Sequence, residues 1–144
     1  MDVASILKAK GDKVTTVRPS DTVHTLAQRL RLEGIGAMVV STDGCTIEGI
    51  VSERDVAHGL AEHGAGLLDR DVAAIMTRNV TTCSPDDTIA DVARVMTSRR
   101  VRHLPVQRSG KLVGIVSVGD VVKQRLDEME METNVLRDYA IARL

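Results

Sequence analysis

The sequence predicts an α+β fold written twice, as two repeats in the order strand, helix, strand, strand, helix, each preceded by a short helix. Three observations carry this reading. The segment Gly49-Ile50-Val51-Ser52-Glu53-Arg54-Asp55 recurs as Gly114-Ile115-Val116-Ser117-Val118-Gly119-Asp120. Thr16, Pro19, Asp21, Thr22, Val23 and Ala27 each stand 66 positions before Thr82, Pro85, Asp87, Thr88, Ile89 and Ala93. The apolar periodicity also changes in one fixed order in both halves.

The second copy has the shorter turns and defines the elements. Val80-Thr81-Thr82-Cys83 is β-prone and stops at Ser84-Pro85, because proline cannot continue a paired strand. Asp86-Asp87-Thr88 starts a helix in which Ile89, Val92, Ala93 and Met96 share one face and Asp91 and Arg94 the other. Val101–Val106 and Lys111–Ser117 form a hairpin around Ser109-Gly110. A second helix opens at Gly119-Asp120, where an Asp can accept from unpaired amides.

The first copy matches, with strands at Val14–Val17, Ala37–Ser41 and Ile47–Val51 and helices at Val23–Leu32 and Val56–Leu60. A one-residue slip, from an offset of 66 to 65, falls in the turn around Asp43-Gly44-Cys45-Thr46, as expected of a surface loop. Upstream, Asp2–Leu7 recurs as Asp71–Met76, with three extra residues, Lys10-Gly11-Asp12, before the first strand. The domains expected are a first repeat with its leading helix at 1–66, a second repeat at 67–126, and an acidic and apolar helical tail at 127–144. A half of roughly 60 to 70 residues buries little surface, so the two copies are expected to pack on each other.

Composition narrows the function. Nineteen Lys and Arg against twenty Asp and Glu give a net charge of −1, without the basic excess of a nucleic-acid binder. One Tyr and no Phe or Trp leave no platform for stacking bases, and with 43% apolar residues the core is aliphatic. The chain has neither a membrane-length apolar run nor a signal-peptide pattern, so a cytoplasmic location is expected. Cys45 and Cys83 lack metal-ligand or disulfide spacing, and no nucleophile stands with a base, which argues against an enzyme. His24, His58 and His63 read as solvated. The run Arg99-Arg100-Val101-Arg102-His103 reads as a basic turn.

The repeated segment offers a hydroxyl at a strand end, Ser52 or Ser117, and a carboxylate at a helix start, Asp55 or Asp120. Free amides lie between them, and Arg54 adds a cationic fork. Such groups suit a ribose phosphate, with the carboxylate accepting both ribose hydroxyls. The same Ser-x-x-Asp is also an ordinary helix cap, and for either copy alone that alternative stays open. The glycine at mid-strand admits a ligand or another backbone.

Together, the doubled element order, the Gly-h-h-Ser-x-x-Asp ends (h apolar) and Leu104-Pro105-Val106 resemble a tandem pair of CBS domains, the cystathionine β-synthase-type regulatory module. The resemblance covers about residues 1 to 126. It implies two repeats packed about a pseudo-twofold axis, clefts that take adenosine-type ligands (AMP, ADP, ATP or NAD), and homodimers acting on a further protein. Matched by position, one cleft would use Thr16, Ile35, Gly36, Ala37, Met38, Ser52, Arg54 and Asp55. The other would use Thr82, Val101, Arg102, His103, Leu104, Ser117 and Asp120. The clefts are expected to be unequal, because Gly119 replaces Arg54 and Arg102-His103 replaces Gly36-Ala37. Binding through a protonated His103 is expected to weaken as pH rises through about 6 to 7. In the tail, Val135, Leu136, Tyr139 and Ile141 suggest a helix that caps the module or contacts a second chain, the alternative being a frayed end.

Overall fold

The computed structural model describes residues 1–11 and 13–142; Asp12 of the insertion and residues 143–144 of the tail lie outside them. The first half runs α1 (Val3–Lys10), β1 (Thr16–Val17), α2 (Val23–Glu33), β2 (Ala37–Val40), β3 (Gly49–Ser52) and α3 (Glu53–His63). Two 3₁₀ turns, Gly64–Asp69 and Val72–Ala74, lead into α4 (Ile89–Arg99), β4 (His103–Arg108), β5 (Lys111–Ser117) and α5 (Val118–Ala142). β1 lies parallel to β2, which pairs antiparallel with β3. β4 and β5 form the expected hairpin, with Ser109 at φ 52° and Gly110 at φ 76°, the double positive φ of a tight two-residue turn.

The predicted strand Val80–Cys83 shrinks to one bridge, Cys83 with Val106. Proline is the cause on both sides. Cys83 N–H donates to the Pro105 carbonyl at 3.0 Å, and Gln107 N–H donates to the Cys83 carbonyl at 2.9 Å. The next ladder bond toward the N-terminus needs the amide of Pro105, and the next toward the C-terminus needs the amide of Pro85; neither exists. In the first repeat Val39 stands where Pro105 does, and β1 pairs over two residues.

The helix expected over Asp71–Met76 is only a 3₁₀ turn at Val72–Ala74, because the chain joins the sheet edge at Thr77, which exchanges bonds of 2.9 and 3.0 Å with Ile50. At the other end, the second helix does not stop before the tail. Neither Gly nor Pro occurs between Asp120 and Ala142, and α5 continues through the segment as one helix of 25 residues.

Each leading segment packs on the other repeat. Val3 and Ile6 of α1 lie in the cluster formed by Cys83, Ile89, Val92, Met96, Leu104, Val106, Val116 and Val121. Val72 joins the cluster of Val17, Leu26, Leu30, Met38, Val40 and Val51, with Ile75 and Met76 against it. The backbone repeats the exchange in both directions. Val3 N–H donates to Asp87 O at 2.9 Å and Ala4 N–H to Pro85 O at 2.9 Å, while Val72 N–H donates to Asp21 O at 2.8 Å and Ala73 N–H to Pro19 O at 3.0 Å. Sequence halves and packed halves therefore differ, since residues of 1–66 complete the core of 67–126 and the reverse.

The glycines of the repeated segment make the exchange possible. A Cβ on Gly49 would stand 2.8 Å from Met76 Sδ and 2.9 Å from the Thr77 carbonyl oxygen, and one on Gly114 would stand 2.5 Å from Leu7 Cδ2. The close approach expected there is that of another chain segment. Gly49→Ala is expected to lower stability by about 1–3 kcal/mol, because backbone must move, and Gly114→Ala by less, because a leucine end can turn. Urea unfolding of the two variants measures the order; equal or reversed losses would contradict it.

Candidate functional site

Where the two leading segments cross between the repeats, they leave two clefts. The Arg54 cleft, about 260 Å³, lies between the start of α3, the strand-like run Asn79–Thr81 and the turn Arg100–His103. The Lys10 cleft, about 510 Å³, lies between the end of α1, Lys13, Thr15, the Glu33–Ala37 turn, Ile115 and Ser117. These volumes bracket the low end of small-molecule sites, roughly 300–1,000 Å³.

Both Ser-x-x-Asp motifs are helix caps. Asp55 Oδ2 accepts from Ser52 N–H at 2.8 Å and from the Ser52 hydroxyl at 3.1 Å, and Ser52 Oγ accepts from Asp55 N–H at 3.4 Å. Asp120 Oδ2 accepts from Ser117 N–H at 2.9 Å, and Ser117 Oγ accepts from Asp120 N–H at 3.1 Å. The cap aligns one carboxylate edge along the helix start. Asp55 Oδ1 accepts nothing from the described residues.

The clefts mix residues of the two candidate groups, with Gly36 and Ala37 still beside Ser52, Arg54 and Asp55. Ser52, Arg54 and Asp55 line a cleft with Val101, Arg102 and His103 of the other repeat, and Ser117 lines one with Ile35, Gly36 and Ala37. Each site therefore draws on both copies, as the crossing of the leading segments requires. Gly36, Ala37 and His103 border both clefts. Thr16 and Thr82 line neither: Thr16 pairs with Val39 inside the sheet, and the Thr82 hydroxyl accepts from Gln107 Nε2 at 2.9 Å. Their neighbours Thr15 and Thr81 face the clefts instead, as the alternation of a strand requires. Met38 and Leu104 are fully buried core residues.

Several lining residues escaped the sequence reading. Arg100 ends α4 with φ 55° and ψ 41°, the left-handed conformation that Gly34 (φ 63°) supplies at the matching end of α2. An arginine accepts that conformation at a steric cost that glycine avoids. Arg54, Arg100 and Arg102 converge on one cleft with Glu53 and Asp55, and none of the three arginines has an ion-pair partner among the described residues.

Asp120 lines neither cleft, and its carboxylate, next to Ser117 of the Lys10 cleft, is already answered. Lys10 Nζ lies 2.7 Å from Asp120 Oδ2 and donates to the Ile115 carbonyl at 3.0 Å. Burial pushes the Asp120 carboxyl up, but the Lys10 hydrogen bond, the Ser117 amide and the Lys10 charge together bring it below its ordinary value. Lys10 belongs to the three-residue insertion of the first copy. The insertion therefore sets a cation on one aspartate and leaves Asp55 without its equivalent.

His103 packs its ring against Gly36, where a Cβ would meet Cε1 at 3.4 Å. Burial, and next the Lys10 charge, lower its pKa from the ordinary 6.5, against the opposite pull of Glu53 and Asp120. The window of pH 6 to 7 expected from the sequence thus moves down. The folded pKa of His103 lies below its unfolded one, so its contribution to stability is complete above 6.5 and is lost as pH falls through the folded value. His103→Gln is expected to flatten this part of the pH dependence. Urea midpoints of both proteins between about pH 5 and 7 measure it, and parallel curves would contradict it.

Comparison with known proteins agrees with this architecture. The family model of the CBS domain matches residues 4–62 and again 72–127. The structure superposes on a CBS-domain-containing protein of Agrobacterium tumefaciens with a TM-score of 0.83 at 40% identity, covering 87% of this chain and 99% of that one. The CBS domain pair of protein MJ0100, solved with 5′-methylthioadenosine and S-adenosyl-L-methionine, is 25% identical with a TM-score of 0.77, covering 86% and 98%. A mitochondrial CBS-domain protein of Arabidopsis thaliana, CBSX3, is 28% identical over 95% of this chain and 70% of its own length. With two matched copies spanning most of its length and this fold, the chain belongs to the CBS-domain family.

Proposed function

We propose that the protein is a regulatory module that senses an adenine nucleotide, of the AMP, ADP, ATP or NAD type, in the clefts between its two repeats. One observation carries the reading. The Arg54 cleft brings a pre-aligned carboxylate, Asp55, together with three arginines from both repeats that have no ion-pair partner among the described residues. A ribose diol suits Asp55 Oδ1, and a phosphate suits the Arg54, Arg100 and Arg102 forks. The adenosine-containing ligands of the MJ0100 pair support the ligand class.

A ligand seated there touches the start of α3 on one side and the Arg100–His103 turn on the other. It favours whichever arrangement of the two repeats closes both sets of contacts, and that differential is the free energy available for signalling to a partner protein. The reading makes the module regulatory rather than catalytic and, because its ligands are intracellular, cytoplasmic. The Lys10 cleft ranks second, since a ribose must displace Lys10 from Asp120.

A second reading has one specific observation in its favour: both Ser-x-x-Asp motifs close complete caps, which suits a structural adaptor without a ligand. Substitutions separate the two. Asp55→Ala is expected to cost about 0.5–2 kcal/mol of stability on either reading. Arg54→Ala touches no cap, and on the nucleotide reading it weakens binding about tenfold or more, the loss of one charge-assisted hydrogen bond. Calorimetric titration with AMP, ADP, ATP and NAD measures this; no heat and no thermal stabilisation with any of them would leave the adaptor reading.

Arg100→Gly is expected to act in opposite directions, raising stability by up to about 1 kcal/mol through relief of the left-handed residue while weakening nucleotide binding. Thermal melts with and without nucleotide measure both effects. An unchanged affinity would remove Arg100 from the site.

A further inference from the structure

The three arginines of the Arg54 cleft also line a second, shallower groove outside it. This groove, about 380 Å³, lies against the end of α4 and the first residue of α5, where Met96, Thr97 and Val118 line it. Val118 N–H donates to the Arg102 carbonyl at 2.8 Å and Val101 N–H to the Met96 carbonyl at 3.1 Å, so both helices hold the arginine-bearing turn in place. Cleft and groove meet at Arg54, Arg100 and Arg102.

The duplication supplies an internal comparison. By the offsets of 66 and 65, Met96, Thr97, Arg100 and Val118 match Leu30, Arg31, Gly34 and Glu53. Those four line the corresponding groove of the first copy, which carries one cation, Arg31, and one anion, Glu53. The groove of the second copy carries three cations and, among the described residues, no carboxylate. One groove is balanced and the other strongly positive. Like charges gathered without a counter-charge repel, and a bound anion relieves the repulsion.

We propose that the outer groove is a polyphosphate subsite, and that the ligand of the Arg54 cleft is a nucleoside di- or triphosphate whose terminal phosphates lie in it. The inference rests on the nucleotide reading of that cleft. The inner cleft, about 260 Å³, is short of the roughly 300–1,000 Å³ of small-molecule sites, so a nucleoside leaves little room there for a phosphate chain. Glu53 and Asp55 line the cleft but not the groove, which drives the negative end of the chain outward. At the junction, guanidinium forks bind phosphate oxygens in pairs. The lack of a carboxylate in the groove discriminates further: the second ribose of a dinucleotide finds no acceptor for its diol, and a divalent cation finds no acidic ligand.

The test is calorimetric titration of the full chain with AMP, ADP, ATP and NAD in buffer free of divalent cations. Affinity is expected to rise from AMP through ADP to ATP, by about tenfold or more over the series, with NAD weaker than ADP. Two residues that line the groove but not the cleft then test the location. Val118→Glu gives the second copy the carboxylate that the first has at Glu53, and is expected to lower the ratio of ATP to AMP affinity by about threefold or more. Thr97→Lys adds a cation and is expected to raise that ratio. Circular dichroism of each variant confirms that these exposed substitutions leave the fold intact. Equal affinities for AMP and ATP would overturn the subsite while the nucleotide reading stands, and would leave the groove to an acidic segment of another protein. A ratio that either variant leaves unchanged would place the terminal phosphates elsewhere and overturn the subsite as well. Binding of NAD alone would also overturn it, and binding of none of the four would bring down the nucleotide reading with it.

Discussion

The structure depends on a reciprocal exchange: the segment leading into each repeat is packed into the core of the other. Val3 and Ile6 complete the second cluster, and Val72, with Ile75 and Met76, completes the first. Each half of this size is short of apolar surface to bury, and the exchange supplies the missing face while tying the halves together. The exchange requires close approach at two strands, and glycine at 49 and 114 allows it. The two repeats therefore share their cores rather than standing as beads on a chain.

The crossing segments also create the clefts. A chain that starts against one repeat and ends as a strand of the other must pass the helix starts at Ser52 and Ser117. Each cleft accordingly has walls from both copies. The two are unequal for local reasons. An insertion lengthens α1 and carries Lys10 to Asp120, while nothing equivalent reaches Asp55. Across the cleft from Asp55, Arg100, held in a left-handed conformation, and Arg102 concentrate positive charge, and Arg54 adds to it from Asp55's own helix start. Duplication produced two clefts, of about 260 and 510 Å³, and a few residues made them electrostatically different.

Much of the fold was legible in the chain. The helix over Ile89–Arg99 buries Ile89, Val92 and Met96, the face its spacing indicates, and Ser109-Gly110 turns the hairpin. The caps at Ser52 and Ser117 were readable from Ser-x-x-Asp alone. What misled was local reasoning about pairing. Val80–Cys83 has strand propensity, yet a ladder needs a donor on the facing chain, and Pro105 has none to give. Likewise, the acidic composition after Leu126 suggested a separate tail, whereas the absence of any helix-breaking residue let α5 continue.

The candidate site divides along the same line. The sequence by itself determined the duplication, the element order, the motif residues and the inequality of the copies, because these depend on spacing and residue type along one chain. Only the tertiary structure decided that Ser52, Arg54 and Asp55 share a cleft with Val101, Arg102 and His103, and that Thr15 and Thr81 rather than Thr16 and Thr82 face the openings. It alone brought Lys10 to Asp120, across 110 positions of chain. Repetition fixes what each copy contains, but not which copy supplies each wall. That depends on where the leading segments find apolar surface to cover, a property of the folded pair that no local pattern encodes.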